Sequence, residues 1–130
     1  MTFDCKEISI SDRDFGCIIK LSDRVDRGYV EGQTFEEMIN SSGKYLLIQR
    51  SYPEDSYEND YYTVETSEYD EVVGQQDKLI LSFAKDKRML KAQFVSLTLE
   101  IGLRQIESGQ IQKLVKKLRQ RFKGKVIINE

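Results

Sequence analysis

Ser51–Gly74 reads SYPEDSYENDYYTVETSEYDEVVG and concentrates the side chains most able to do chemistry. It holds eight carboxylates and five of the seven tyrosines, with no lysine or arginine. Three chemistries could use such a set: acid–base catalysis by paired carboxylates, oxygen ligation of a metal, or docking of a basic partner. Catalysis would have to proceed without histidine, because the 130-residue chain contains none. That removes Ser-His-Asp and Cys-His machinery, histidine metal sites and imidazole proton shuttles. A carboxylate pair such as Glu65 with Glu68 or Asp70 would need burial to split its pKa values. Nothing in the sequence signals such burial. No glycine-rich phosphate cradle, nucleophile elbow or CxxC motif accompanies the acids. The chain therefore reads as non-enzymatic, with no catalytic residues and no cofactor.

Metal binding fares little better. Asp55, Glu58, Asn59 and Asp60 supply oxygen ligands within a short span. A calcium loop of the EF-hand type needs acids at alternate positions, a glycine at the sharp turn and a bidentate acid at the end. The glycine is missing and the spacing is wrong, so no metal ligands are assigned.

Docking fits the composition best. Tyrosine offers a large, stiff contact area with a polar tip, and it is enriched at protein interfaces. Clustered carboxylates steer a basic partner and raise its association rate. The expected contact surface is Glu54, Asp55, Tyr57, Glu58, Asp60, Tyr61, Glu68, Tyr69, Asp70 and Glu71. A second charged feature lies near the C-terminus. Lys113, Lys116, Lys117, Arg119, Arg121, Lys123 and Lys125 have no acid among them. Such a stripe can bind phosphates by counterion release. However, the formal net charge of the chain is −2, and the helix lacks interleaved exposed aromatics for base stacking. Charged outer helix faces are common, so a solvated face is favoured over nucleic-acid binding.

Elements must position these residues. One domain is expected at this length. The N-terminal MTFDCKEISISDRD carries acids where a signal peptide carries basic and apolar regions. No apolar run approaches a membrane span, so a cytoplasmic location off the membrane is expected. Cys5 and Cys17 lie in apolar, strand-like surroundings and read as small core residues, with a disulfide as the lesser alternative. Phe3–Ile10 and Phe15–Leu21 read as two strands joined by a polar turn at Ser11–Asp14. Thr34 and Glu37 match a helix capping box. Lys44–Tyr52 reads as a central strand, apolar on both faces, and Pro53 stops it. In Tyr61–Thr66 the two-residue period turns Tyr62 and Val64 inward and Tyr61, Thr63 and Glu65 outward. Lys78–Ala84 alternates, and the next strand is expected to return antiparallel. Met89–Ile101 reads as one strand whose change of phase marks a β-bulge.

Ile111, Leu114, Val115, Leu118 and Phe122 form one apolar helical stripe. Ser108 or Gly109 suits its N-cap and Gly124 its C′ position. Val126–Ile128 adds a final short strand. The sum is an α+β fold, an antiparallel sheet of about five to seven strands with one C-terminal amphipathic helix packed on it.

The order KYLLIQR (Lys44–Arg50), an acidic loop, DYYTVET (Asp60–Thr66), a glycine-containing turn, an alternating strand pair and a final LRQRF (Leu118–Phe122) resembles the immunity protein 10 family. These are small bacterial proteins of polymorphic toxin systems. The resemblance covers about Lys44–Lys123. It departs from the family pattern at Thr66–Asp70 and Val73–Gln76, where an Asn/Asp-Gln pair and a more glycine-rich turn are usual. It implies a non-enzymatic inhibitor that binds and neutralises a cognate toxin protein, which the acidic contact surface leads one to expect to be basic. The alternatives are a nucleic-acid-associated module using the basic helix and a small homodimerising domain.

Overall fold

A computed structural model describes residues 2–24, 32, 43–52, 61–67, 79–84, 89–94 and 100–129. The described strands are β1 (Thr2–Asp4), β2 (Glu7–Arg13), β3 (Gly16–Ser22), β4 (Tyr45–Ser51), β5 (Tyr61–Thr66), β6 (Leu79–Phe83), β7 (Leu90–Phe94), β8 (Glu100–Arg104) and β9 (Val126–Asn129). The helix α1 spans Ser108–Arg121. The fold is α+β. Its strands divide between a five-stranded sheet, order β1-β8-β7-β6-β9, and a four-stranded sheet, order β2-β3-β4-β5. The smaller sheet is an antiparallel meander. In the larger sheet β1 joins β8, and β9 joins β6, in parallel.

Alternation builds the smaller sheet. Cys17, Ile19 and Leu21 on β3 are buried, as are Leu46 and Ile48 on β4. Ile10, Ile19, Ile48 and Val64 register as one row across all four strands. β-Branched side chains suit this pleated, half-buried surface. One row further along stand Asp12, Cys17, Arg50 and Tyr62. The two-residue period puts this more polar row on the same inward face. In the larger sheet Leu79, Leu81, Leu90, Ala92, Ile101 and Leu103 are buried, and they belong to the same hydrophobic core.

The helix completes that core with Ile111, Leu114, Val115, Leu118 and Phe122, the stripe expected from spacing. It contacts β2 and β9, an edge strand from each sheet. Each buried leucine contributes about 2 kcal/mol by transfer from water. Its boundaries differ slightly from expectation. Glu107, not Ser108 or Gly109, is the N-cap, and its carbonyl accepts from the N–H groups of Gln110 and Ile111. Phe122 is the C-cap. Gly124 therefore lies one residue beyond C′. It takes φ +82° in the turn whose Phe122 carbonyl accepts from Lys125 and Val126. That left-handed conformation is the one glycine adopts without steric cost.

Three strand expectations are corrected. Phe3–Ile10 is not one strand: the chain leaves the larger sheet after Asp4 and enters the smaller one at Glu7. The hairpin turn falls at Asp14-Phe15 rather than Ser11–Asp14, so Asp12 is a strand residue. Met89–Ile101 is not one bulged strand. β7 and β8 pair antiparallel, Leu90 with Leu103 and Ala92 with Ile101. The change of phase falls between two separate strands rather than inside one, and residues 95–99 lie outside the described residues. The return of β7 against β6, the internal place of β4 and the final strand β9 match the sequence reading. The cysteines are both buried and free, so the disulfide alternative falls. The Thr34–Glu37 capping box lies outside the described residues.

Candidate functional site

Strand β5 is an edge strand of the smaller sheet among the described residues. It links the two halves of the acid–tyrosine segment. Glu54, Asp55, Tyr57, Glu58 and Asp60 lie before it, and Glu68, Tyr69, Asp70 and Glu71 after it, all outside the described residues. Tyr61 opens the strand and registers with Ser51. At the other end, the Ser67 N–H donates to the Tyr45 carbonyl at 3.2 Å, and the Tyr45 N–H donates to Ser67 Oγ at 3.0 Å. Ser51 and Tyr61 thus stand together at one end of the sheet, and Leu46 and Thr66 at the other. At a strand rise of about 3.4 Å per residue the two ends are roughly 17 Å apart.

Tyr62 and Val64 face the core as the period requires. Tyr62 sits edge-on to Phe122, with ring centroids 6.2 Å apart, a favoured geometry for an aromatic pair. Thr63 is corrected: it is buried rather than exposed. The outer face of this sheet is partly covered, since Tyr45, Leu47, Gln49 and Glu65 are also half-buried.

The row Asp12–Cys17–Arg50–Tyr62 meets the last turns of α1, and here the structure assembles a cluster that composition did not suggest. Asp12 Oδ1 accepts from the Tyr52 hydroxyl at 2.6 Å. Asp12 Oδ2 accepts from Lys117 Nζ at 2.9 Å and from Arg121 Nε at 2.8 Å. Arg50 Nη1 donates to the Arg121 carbonyl, one of the carbonyls a helix end leaves without an intrahelical partner. Both guanidinium groups lie over the Tyr52 ring, Arg50 at 5.3 Å and Arg121 at 5.2 Å from its centroid. Cation–π contacts of this kind add to the hydrogen bonds. Helix, β2 and β4 are therefore locked together by one carboxylate and one phenol.

The electrostatics follow from this geometry. Hydrogen bonds from Tyr52 and Lys117 hold the Asp12 carboxyl well below the usual carboxylate range, against the opposing effect of burial. Burial first, then the bond to Asp12, raises the Tyr52 phenol above its ordinary value. Burial also raises the Cys17 thiol, helped by the nearby Asp12 charge. A carboxylate so strongly held ionised is a weak base, and a phenol so strongly held neutral is a weak acid. A proton-transfer pair near neutral pH needs the opposite tuning. The cluster is built to clamp.

It also changes the reading of the basic helix. Lys117 and Arg121, two of its cations, are spent on Asp12. Lys113, Lys116, Arg119 and Lys123 are exposed. Among the described residues no group of three or more potential metal ligands comes together.

Sequence reasoning missed Asp12, Arg50 and Tyr52. A signal existed for Asp12: it continues the i, i+2, i+4 phase of Ile8 and Ile10 onto the core face. The polar SDRD context hid it. No protein-family model, no curated protein and no solved structure matches this chain. Among the described residues, no helix is long and apolar enough to cross a membrane.

Proposed function

We propose that this chain is a non-enzymatic immunity protein that binds a cognate toxin and blocks its active site or substrate groove. The observation that carries this reading is the composition of 51–74, eight carboxylates and five tyrosines without a cation. The resemblance of Lys44–Lys123 to the immunity protein 10 family supports the same class. The edge position of β5 among the described strands, between the two acidic segments in sequence, is consistent with a surface offered to another chain. Exposed tyrosines would act as anchors, and the acids would set the association rate. A basic protein, rather than an anionic one, is the fitting partner. The nucleic-acid alternative has less charge to offer, because Asp12 engages Lys117 and Arg121.

The test is co-expression with the toxin domain encoded by the adjacent gene. A stoichiometric complex and restored growth are expected. Neither complex nor rescue would remove this reading. A self-associated chain that ignores that domain would favour the homodimer alternative.

A further inference from the structure

The basic stripe of α1 is the feature that the binding role above leaves unused. Ser108–Lys125 holds seven cations and no acid. Asp12 engages two of them, Lys117 and Arg121. Lys113, Lys116 and Lys123 are exposed. At a helical rise of about 1.5 Å per residue these three span roughly 15 Å. What the helix itself lacks is an exposed aromatic on which a base could stack, since Phe122 is buried. The fold supplies one from elsewhere. Phe15, in the turn between β2 and β3, is 70% exposed, and it is the one aromatic among the exposed large apolar side chains of the described residues. Its carbonyl accepts from the Tyr52 N–H at 2.9 Å. The Tyr52 ring in turn lies 5.2 Å from the Arg121 guanidinium. Arg13, also exposed, registers with Gly16 across the same turn. The clamp on Asp12 therefore sets the Phe15 turn beside the last turn of the basic helix.

We propose that the exposed face of α1 and the Phe15 turn together form a second binding surface, for a single-stranded nucleic acid. Lys113, Lys116 and Lys123 follow its phosphates, and Phe15 stacks on a base at the end of the stripe. The inference does not depend on the toxin-binding role. Charge complementarity selects a polyanion, because the stripe offers cations over its whole length and no acid. The neighbouring aromatic selects nucleic acid among polyanions, because every base has a face to stack. A single strand presents those faces, whereas a duplex hides them within its own stack. Asp14, exposed beside Phe15, and the net charge of −2 oppose the interaction. Binding is therefore expected to be of the non-specific, strongly salt-dependent kind.

The experiment is fluorescence anisotropy of a labelled oligothymidine of about 12 nucleotides, titrated with the full chain and three variants. They are Lys113→Gln/Lys116→Gln/Lys123→Gln, Phe15→Ala and Lys6→Gln. Lys6 is an exposed cation at the opposite end of the β2–β3 pair, where its N–H donates to the Ser22 carbonyl. Thermal melting verifies that each variant is folded. Wild type is expected to bind with a Kd of about 10 µM at about 20 mM salt and to lose affinity steeply toward about 150 mM. The triple variant is expected to weaken Kd more than about 10-fold and to flatten the logarithmic salt slope by about 2. Phe15→Ala is expected to weaken Kd about 5-fold with the slope unchanged, and Lys6→Gln to stay within about twofold. No binding at low salt, or a triple variant that binds as wild type does, overturns the proposal. Equal binding of a polyglutamate of matched charge, with Phe15→Ala without effect on either ligand, would assign the face to an acidic protein and overturn it as well. Each of these outcomes is separate from whether the toxin complex forms.

Discussion

Asp12 and Arg121, separated by 109 positions in the chain, meet at 2.8 Å. This contact joins the second strand to the last turn of the only helix among the described residues, with Lys117 and Tyr52 on the same carboxylate. The Asp12 side chain is only 15% exposed, so water cannot replace these partners at little cost. Truncating one member of a part-buried charge cluster strands the others, though solvent screens the more exposed Arg121. Asp12→Ala is expected to cost about 2 kcal/mol of stability. Tyr52→Phe removes one hydrogen bond to a charged group and is expected to cost about 1.5 kcal/mol. Urea unfolding of the two variants and their double mutant measures this. A double mutant no worse than Asp12→Ala would identify the two as one unit.

The same carboxylate makes stability depend on acidity. Its folded pKa is depressed, so its contribution is complete above the unfolded value of about 4. The contribution is lost as pH falls from there toward the folded value. Below about pH 4 the advantage of wild type over Asp12→Asn is expected to shrink by about 1.4 kcal/mol per pH unit. Midpoints of urea unfolding between pH 6 and pH 2.5 test it. A difference that stays constant over that range would show that the Asp12 charge is not the linked group.

Much of this architecture was legible because burial imposes a period. The helix stripe from Ile111 to Phe122 and the inward pair Tyr62 and Val64 follow directly from it. Period alone carries no direction, however. β7 and β8 alternate well, and a reversal between them looks the same on paper as a bulge. The division of Phe3–Ile10 between two sheets leaves even less trace, because Cys5-Lys6 is no turn signal. The clamp was hidden for another reason. A polar residue at an inward position is read as solvent-facing until its partners are known, and those of Asp12 come from the residue after β4 and from α1. The acid–tyrosine segment is the reverse case. Composition marked it at once, while the described residues fix only where each half is attached.

The two thiols give a sharp chemical test of burial. Cys5 is pushed up to about 11 by desolvation, and Cys17 is raised for the same reason. Only the thiolate attacks a disulfide reagent. At pH 7.5 a thiol of pKa 11 is ionised in roughly one molecule in 3,000, against about one in 10 for a free cysteine. Reaction of native protein with an aromatic disulfide is expected to be slower than that of urea-unfolded protein by more than about 100-fold. Two thiols per chain are expected to react after unfolding. Rapid labelling of the native chain would mean that the β1–β2 connection at Cys5 or strand β3 at Cys17 opens readily.

Gly16 tests the joint between the hairpin and β4. A Cβ there would meet the Arg50 carbonyl oxygen at 2.7 Å and the Ser51 Cα at 3.4 Å. Both are backbone atoms of a paired internal strand, so neither can swing aside as a side-chain tip would. Gly16→Ala must push β3 from β4 at this end of the sheet, close to where Arg50 reaches the Arg121 carbonyl. The expected loss is about 2 kcal/mol, at the level of overpacking elsewhere in cores. Hydrogen exchange offers a local readout. The Tyr52 amide, which donates to Phe15, is expected to lose protection in this variant. The Leu46 amide at the far end of β4 should be affected only through global stability. Equal loss at both ends would place the strain elsewhere, and unchanged stability would mean that the two strands part here without cost.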